Sequence, residues 1–415
     1  MAPYDAIAKR NVDDERSAFA RQLFNARVDI ASFVDNRLEW NGVGRYDGIF
    51  GGSFNIGLKV KRDDSNENVI IRFPTPRKVH GPWREEKVKN EVTVMNYVRE
   101  HTNIPVPRIR CWSLTEDSPQ QLGPFIIMDF VEGENLGRLL APPTEDKTKL
   151  VYLDPNVDEA KLNAIYEQIA SFMLDLSRLE FPRIGAISKD ATSGDWTVTR
   201  RPLTYDMNEV VTVGGCPADQ FATMAPFDRA SDYFAACAHL VPTYGTVDND
   251  GPFRLFCDDL RPTNMLVDPD TLCITAVFDF KFTNVMPAQF TYDVPSWLLL
   301  QPPAVWLRDN KMEDFLRCFE PRKNQFIRAM ERAEARSLLP AGEPRLSTQM
   351  RESWDSRRFW FNHASRCSFD VDDFYWQALH EEGLGEAMLG VTMAEKEGFI
   401  ARKMRQVDEL QGEGK

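Results

Sequence analysis

The chain has 415 residues, a formal net charge of −13 and 43% hydrophobic residues. A single hydrophobic core rarely grows beyond ~250–300 residues, so this length predicts a globular protein with two or three lobes. No basic stripe is present to neutralise phosphates, which argues against a nucleic-acid partner, whereas the negative charge would favour a cationic small substrate.

The N-terminal residues show no targeting segment. They contain no apolar core of signal-peptide length, and acidic residues such as Asp13 and Asp14 argue against a transit peptide. No run of ~18 apolar residues occurs anywhere, so no membrane span is expected. The seven cysteines are scattered without a C-x-x-C motif, which fits neither a disulfide framework nor a zinc site. We therefore expect a cytoplasmic protein.

Two leading helices and a glycine-rich hairpin are predicted first. Apolar residues recur at helical spacing between positions 14 and 38, and two strands, Ile56–Val60 and Val69–Phe73, follow a glycine-rich turn. Gly51, Gly52 and Ser53 lie in this turn, where glycine lets backbone N–H groups approach phosphates closely. A plain glycine-rich hairpin is the alternative, because no Gly-Lys-Ser/Thr follows as in a Walker A loop.

A buried ion pair is predicted between the second strand and the next helix. Arg72 interrupts the apolar strand "VIIRFP", and Glu91 lies on the same helical arc as Val88, Met95 and Val98. A carboxylate inside an apolar stripe is costly unless it is paired, and Arg72 is its natural partner. The pair has two interpretations, a purely structural contact or part of a phosphate-binding site.

The middle of the chain changes from strand to helix. Phe125–Met128 reads as a buried strand followed by an acidic turn, and apolar residues then repeat at helical spacing from 162 to 179. Residues 186–226 are rich in Gly, Pro, Thr and Asp, so we expect an irregular insertion there. Ala230–Leu240 reads as a helix that leads into the next motif.

The most informative stretch is residues 255–282, "LFCDDLRPTNMLVDPDTLCITAVFDFKF". Strand Met265–Val267, the turn chemistry of Asp-Pro-Asp-Thr and strand Cys273–Phe278 predict a β-hairpin. Asn264 and Asp279 flank its open end, and Asp259 lies five residues before Asn264. One such residue is usually an ordinary turn residue, but this set suits phosphoryl transfer, with one Asp orienting a hydroxyl while Asn and Asp hold Mg²⁺.

The C-terminal part, residues 311–408, alternates helical stretches with polar breaks, and only the last residues, "QGEGK", look disordered. Between positions 355 and 376 aromatic residues alternate with acidic ones. Such a cluster is either a wall for a cationic substrate or, more commonly, a helix-packing core. Its members are Trp360, Phe361, Phe369, Phe374, Trp376, Asp370, Asp372 and Asp373.

The segment "DDLRPTNMLVD…ITAVFDFKF" resembles the catalytic segment of the aminoglycoside phosphotransferase and choline kinase-like family. That family usually shows H-G-D-x-x-x-x-N and a metal-binding strand that ends in I-D-W or I-D-F. By this resemblance Asp259 is the catalytic base, and Asn264 and Asp279 are Mg²⁺ ligands. Cys257 and Asp258 stand where His-Gly is usual, which places the loop geometry and the reaction rate in question more than the reaction class.

The resemblance covers roughly residues 45–300 and implies an α+β, protein kinase-like fold with two lobes. A small β-rich N-lobe would span residues 1–130, and a larger, mostly helical C-lobe would span 131–415 and end in a helical substrate subdomain. Arg72, set by Glu91, would bind the phosphates together with Gly51, Gly52 and Ser53, and backbone groups from Asp129 to Val131 would meet adenine. An Asp such as Asp293 would brace the catalytic loop.

The leading hypothesis is therefore an ATP- and Mg²⁺-dependent phosphotransferase that acts on a hydroxyl of a small molecule. A protein kinase is a poorer interpretation, since H-R-D, D-F-G and A-P-E motifs are missing. A nucleotide-binding scaffold without catalysis is the main alternative, motivated by Cys257 and Arg72. AMP transfer with the same residues also stays open, as do the acceptor substrate, the choice between ATP and GTP, and the oligomeric state.

Overall fold

The computed structural model describes residues 5–144, 151–221, 224–237, 246–308, 311–337 and 344–380, with residues 397–398, 401, 404–405 and 408. The chain begins with two helices and a five-stranded antiparallel sheet. Its first elements are α1 (Asp5–Asn25), α2 (Arg27–Arg37), β1 (Gly44–Gly51), β2 (Asn55–Arg62), β3 (Asn68–Pro74), α3 (Arg84–His101), β4 (Ile109–Ser113) and β5 (Phe125–Asp129). The strand order in the sheet is β1-β2-β3-β5-β4.

Alternation of side chains along β5 shows how this sheet is covered on both faces. Phe125 and Ile127 pack in one apolar cluster with the residues of α1 and α2, including Leu23. Ile126 and Met128 point to the opposite face and join the large core that contains α3. Because successive side chains of a strand point to opposite faces, an uninterrupted apolar run is required where both faces are buried.

The following part of the chain is mostly helical, with short strands between the helices. Its elements are β6 (Glu134–Asn135), α4 (Leu136–Leu139), α5 (Glu159–Ser177), β7 (Glu180–Phe181), β8 (Ala186–Lys189), β9 (Trp196–Arg200), α6 (Tyr205–Thr212), α7 (Ala230–Cys237), β10 (Phe253–Phe256), β11 (Met265–Val267), β12 (Ile274–Val277), β13 (Asn284–Met286), α8 (Pro303–Leu307), α9 (Met312–Arg336), α10 (Leu346–Asp355), α11 (Arg358–Ala364) and α12 (Val371–Phe374).

The long helices α5 and α9 form the centre of the helical part. Asp158 caps α5 by accepting a hydrogen bond from the Lys161 amide at 2.7 Å, which satisfies one of the free N–H groups of the first turn. Tyr166 of α5 meets Phe326 of α9 edge to face, with ring centroids 5.4 Å apart, and both side chains are buried. This pair packs α5 against α9.

Two small sheets carry the motif segment. Strand β10 pairs with β13 and β7, while β11 pairs with β12 as an antiparallel hairpin and with β6 on its other side. The hairpin predicted from the sequence is present, with Met265 opposite Val277 at its open end. The backbone amide of Gly185 also donates to the Val285 carbonyl at 2.9 Å, which ties the β8–β9 hairpin to β13.

The predicted fold class is confirmed, since a small antiparallel sheet lobe precedes a larger helical lobe in an α+β chain. The expectation of an irregular insertion at 186–226 is wrong, because the hairpin β8–β9 and the capped helix α6 lie within it. The Thr204 side chain caps α6 by accepting a hydrogen bond from the Met207 amide. The polar composition of the segment had suggested a loop in place of this helix start. The helix predicted at Ala230–Leu240 is described as far as Cys237, and the "QGEGK" tail lies outside the described residues.

The C-terminal aromatic cluster divides between interior and surface. Trp360, Phe361 and Phe374 are buried in the main core, whereas Phe369 and Trp376 are 42% and 61% exposed. Helix packing therefore explains the buried three. Among the described residues, no helix combines the length and the hydrophobicity that a membrane span requires.

Candidate active site

Asn264 and Asp279 lie on either side of the open end of the β11–β12 hairpin. The Phe278 amide donates to the Asn264 carbonyl at 3.1 Å, which closes the hairpin at this end. Asp279 follows with a φ of 71°, a left-handed conformation in which Asp is tolerated better than most residues. The side-chain amide of Asn264 donates to the Asp259 carbonyl at 2.9 Å, so the three motif residues come together at one place.

The Asp279 carboxylate is surrounded by donors from both lobes. Its Oδ1 accepts hydrogen bonds from Arg72 Nη2 at 3.1 Å and from Asn55 Nδ2 at 3.3 Å, and its Oδ2 accepts one from Lys281 Nζ at 2.7 Å. Burial opposes ionisation of this carboxyl, but the positive charges of Lys281 and Arg72 outweigh it and hold its pKa well below the usual range. Asp279 is therefore a fixed negative charge at the boundary of the lobes.

Arg72 and Glu91 form the predicted pair, although Glu91 has a closer partner. Arg72 Nη1 lies 3.5 Å from Glu91 Oε1, while Lys87 Nζ lies 2.7 Å from Glu91 Oε2. Lys87 is fully buried and also donates to Asn55 Oδ1 at 2.8 Å. Burial lowers the pKa of Lys87, with the carboxylates of Glu91 and Asp279 acting in the opposite direction. Two cations thus share the one helix carboxylate.

Asp259 lies between two basic side chains. Its Oδ1 is 2.6 Å from Arg261 Nε, and its Oδ2 accepts a hydrogen bond from Lys281. The side chain of Lys281 is only 4% exposed and bridges Asp259 to Asp279. Burial would lower the pKa of Lys281, but the two carboxylates raise it above its usual range. The predicted base and the predicted metal ligand are therefore joined by one buried ammonium group.

The loop before Asp259 is anchored by the C-terminal helices. Arg366 forms an ion pair with Asp258 and stacks over the Phe256 and Phe290 rings, with its guanidinium carbon 4.8 and 5.1 Å from their centroids. Its Nη2 also lies 3.7 Å from Asp293 Oδ2. Asp258, one of the two departures from the family pattern, thus connects the loop that carries Asp259 to a distant part of the chain.

Asp293 and Cys257 occupy the interior behind this loop. Asp293 Oδ1 accepts hydrogen bonds from Ser353 Oγ at 2.6 Å and from Asn362 Nδ2 at 3.0 Å. Burial raises the pKa of Asp293 to about 7. Cys257 is partly buried against the core, and burial raises the pKa of its thiol to about 12, so little of the reactive thiolate forms at neutral pH. Arg366 contacts both Asp258 and Asp293, so it connects Asp293 to the loop.

The glycine-rich turn and the strand after it approach the candidate site from the sheet lobe, where Asn55 contacts Asp279. The Gly52 amide donates to the Asn55 carbonyl at 2.8 Å, and a side chain at Gly52 would lie 3.2 Å from that oxygen. Gly51 ends β1 and Ser53 is exposed at the tip of the turn. This turn therefore presents backbone in preference to side chains.

The predicted hinge residues lie where β5 ends. The Asp129 amide donates to the Arg108 carbonyl and the Phe130 amide to the Asn68 carbonyl, both at 2.9 Å. The Asp129 side chain accepts from Arg110 Nε at 2.5 Å. Among the described backbone hydrogen bonds, none has the Val131 amide as its donor. Phe50 of β1 contacts Phe130, with centroids 5.4 Å apart, which joins hinge and hairpin.

Sequence reasoning missed Lys87, Lys281 and Arg366 as members of this network. Lys87 precedes Glu91 by four residues on α3, a spacing that places both on one helix face and was a usable signal. Lys281 follows Asp279 by only two residues, but Asp279 has a left-handed backbone conformation after the end of β12, so strand alternation gave no signal for their contact. Arg366 had no signal, because it is more than 100 residues from Asp258 and only tertiary packing unites them.

The donor set at the hairpin mouth suits a single magnesium ion. Asn264 and Asp279 provide hard oxygen atoms, and Mg²⁺ in phosphoryl-transfer sites is typically held by one or two such groups together with phosphates and water. No cluster of three His, Cys, Asp or Glu side chains able to hold a metal occurs among the described residues. The residues therefore fit an ion brought in with a phosphate ligand and not a closed metal cage.

Comparison with known proteins identifies the family. The model of the phosphotransferase enzyme family, APH, matches residues 55–311, which is more than half of the chain and includes Arg72, Glu91, Asp259, Asn264 and Asp279. The mitochondrial protein named altered inheritance of mitochondria protein 9 from Zygosaccharomyces rouxii is 26% identical over 136 residues. That match covers 32% of this chain and 21% of the relative, so the chain spans about a fifth of the relative's length.

Two solved structures are similar in outline. The aminoglycoside phosphotransferase APH(3'')-Id from Streptomyces rimosus is 15% identical, with a TM-score of 0.40 and coverage of 78% of this chain and 97% of its own. The ethanolamine kinase of Plasmodium vivax is 14% identical, with a TM-score of 0.41 and coverage of 89% and 83%. On the evidence of the family model, the chain belongs to the phosphotransferase enzyme family.

Proposed function

We propose that this protein transfers the γ-phosphoryl group of ATP to a hydroxyl group of a small molecule, with Mg²⁺ as the metal. The observation that carries the proposal is the direct contact between lobes, in which Arg72 of the sheet lies 3.1 Å from Asp279 of the hairpin. A cation suited to phosphates and a carboxylate suited to a metal meet there beside Asp259. Positioning and charge stabilisation of this kind account for most of phosphoryl-transfer catalysis.

Asp259 is the proposed base. It would accept the proton of the acceptor hydroxyl, and its position is held by the Asn264 amide on its carbonyl and by Arg261 on its carboxylate. Asn264 and Asp279 would hold Mg²⁺, which when bound neutralises the charge on the β- and γ-phosphates. Asp279 is suited to this role because it stays ionised throughout the physiological pH range.

Arg72 would bind the nucleotide phosphates from the opposite side. Its guanidinium is held between Glu91 and Asp279, so little side-chain freedom remains to be lost when phosphate arrives. The backbone at Gly51, Gly52 and Ser53 would cover the phosphates, and the Val131 amide with the Asp129 carbonyl would meet the adenine edge. Each of these groups faces the cleft between the lobes in the proposed arrangement.

The acceptor is proposed to be a small alcohol that carries a positive charge. Asp206 and Glu209 lie on α6. Burial raises the pKa of the Asp206 carboxyl, and the negative charges of Asp258, which is next to the proposed base, and of Asp370 raise it further. Acidic side chains therefore gather beside the loop that carries Asp259. An amine bound beside them would be favoured by their field.

The first test is thermal stability with Mg²⁺-ATP, Mg²⁺-GTP and each nucleotide without metal, for the wild type and Asp279→Ala. A ligand that binds only the folded state raises the midpoint by an amount set by its concentration relative to Kd. A metal-dependent rise that disappears in Asp279→Ala is expected. Absence of any rise with either nucleotide would remove the phosphotransferase proposal and leave only the fold.

A nucleotide-binding scaffold is the second candidate, and the contact between Lys281 and Asp259 favours it, because that contact occupies the base. Slow ATP turnover decides between the two. An enzyme should hydrolyse or transfer phosphate at a rate that Asp259→Asn lowers at least ~100-fold, which is the usual contribution of a general base. A scaffold would bind nucleotide, show no turnover and be unchanged by the same substitution.

A further inference from the structure

Lys281 holds an unusual position for a basic residue in a site that binds a metal. Its ammonium donates to Asp279 Oδ2 at 2.7 Å and to the Asp259 carboxylate, and it lies 5.0 Å from the centroid of the Phe54 ring. Only 4% of the side chain is exposed. A cation belonging to the chain therefore stands between the proposed base and the proposed metal ligand.

The charge balance of the surrounding contact network is positive. The network contains more cations than carboxylates. Each cation lies within 3.5 Å of at least one carboxylate. The three carboxylates are Glu91, Asp259 and Asp279, and the four cations are Arg72, Lys87, Arg261 and Lys281. Divalent ions bind where negative charge is in excess. The nucleotide phosphates would supply that excess for one ion, but the protein groups themselves add no net negative charge, so a second ion would meet repulsion at this place.

We propose that Lys281 supplies from within the chain the charge that a second divalent ion supplies in protein kinases, so that the nucleotide-bound site holds one divalent ion. The inference rests on the proposed function and defines the metal requirement of the same site. The ion would lie between Asn264 and Asp279. The ammonium of Lys281 would supply the positive charge of the second ion.

The hydrogen-bonding capacity of the ammonium group fits this role. A lysine ammonium has three N–H donors. Two of them are used by Asp259 and Asp279, and no third acceptor is found among the described residues, so the remaining N–H would be able to donate to a phosphate oxygen. Lys281 would then contact the base, the metal ligand and the transferred group together. It would also allow some nucleotide binding without any divalent ion, because its charge is always present.

The competing interpretation is that Lys281 is only a structural counter-ion for the two carboxylates. The number of bound divalent ions distinguishes the two interpretations. Mn²⁺ is titrated into the full-length protein saturated with a non-hydrolysable ATP analogue, and free Mn²⁺ is measured by electron paramagnetic resonance. We expect one bound Mn²⁺ per complex in the wild type and in Lys281→Arg, which keeps the charge. Lys281→Gln should bind two. Lys89→Gln, at an exposed position of α3, is the matched control and should bind one.

A second measurement does not depend on the variant folding. In the presence of a metal chelator, the wild type should still bind the nucleotide analogue, with affinity reduced by about tenfold, which corresponds to ~1.4 kcal/mol. Failure of nucleotide to bind under any condition would overturn the proposed function and this inference together. Nucleotide binding with two Mn²⁺ in the wild type, or with one in both wild type and Lys281→Gln, would overturn the role of Lys281 alone. Loss of all binding in the chelator would do the same.

Discussion

Lys87→Met tests whether the buried ion pair on α3 holds the site together. Lys87 is fully buried and Glu91 is 1% exposed, so neither charge has access to water. Methionine has a similar volume but leaves the Glu91 carboxylate with Arg72 Nη1, at 3.5 Å, as its remaining cation. Removing one partner of a buried pair costs ~3–5 kcal/mol. Because Arg72 remains, we expect the lower end, a loss of about 3 kcal/mol in the free energy of unfolding.

Urea unfolding followed by tryptophan fluorescence and by circular dichroism measures this loss, and coincidence of the two curves tests cooperativity. The double variant Lys87→Met/Glu91→Met should be more stable than Lys87→Met alone, because apolar replacement of a whole buried pair is often neutral. Lys89→Met, at an exposed position of α3, is the control and should change stability by less than ~0.5 kcal/mol. A loss below ~1 kcal/mol for Lys87→Met, or losses that simply add in the double variant, would refute the reasoning.

Three further predictions concern the loop anchor and its surroundings. Arg366→Met should lower stability by about 1–3 kcal/mol and lower kcat more than it changes the KM for nucleotide, since it removes the cation that contacts Asp258 and Asp293 behind the loop; steady-state kinetics with unchanged kcat would contradict this. Burial raises the pKa of Asp293 to about 7, so the folded state retains its proton where the unfolded chain has lost it. The wild type should therefore lose a few kcal/mol of unfolding free energy relative to Asp293→Asn between pH 4 and 7 and no more above pH 7, since each pKa unit is worth about 1.4 kcal/mol; parallel pH profiles would refute it. Burial raises the pKa of Cys257 to about 12, so iodoacetamide at pH 8 should label exposed Cys273 and leave Cys257 unmodified in the native protein, as peptide mass spectrometry would show.

The hairpin at residues 265–277 was predictable because its determinants are local. The β-branched residues of the second strand and the Asp-Pro-Asp-Thr turn specify the hairpin within 13 positions, and the positions of Asn264 and Asp279 then follow from the geometry of a hairpin. The pairing of Arg72 with Glu91 was also accessible, because each polar residue interrupts an apolar pattern and burial requires a partner. These two inferences identified most of the predicted site residues.

The region from 186 to 226 shows where composition misleads. Gly, Pro and Thr suggested irregular chain, yet β8 pairs with β9 and Thr204 caps α6. The β8–β9 hairpin is fixed partly by contacts outside the segment, such as the Gly185 amide bound to the Val285 carbonyl. Local propensity is a weak guide when neighbouring strands provide the hydrogen-bond partners.

The amino-acid sequence by itself predicted the hairpin and selected Asp259, Asn264 and Asp279 as candidate site residues, because the hairpin and the spacing of these residues are short-range features. Only the tertiary structure decided how their charges are balanced. Lys281, Lys87 and Arg366 enter the site through side-chain contacts, and Arg366 reaches Asp258 across more than 100 residues. Electrostatic energies depend on distance and burial in three dimensions, and these quantities arise only once the lobes and the C-terminal helices have packed.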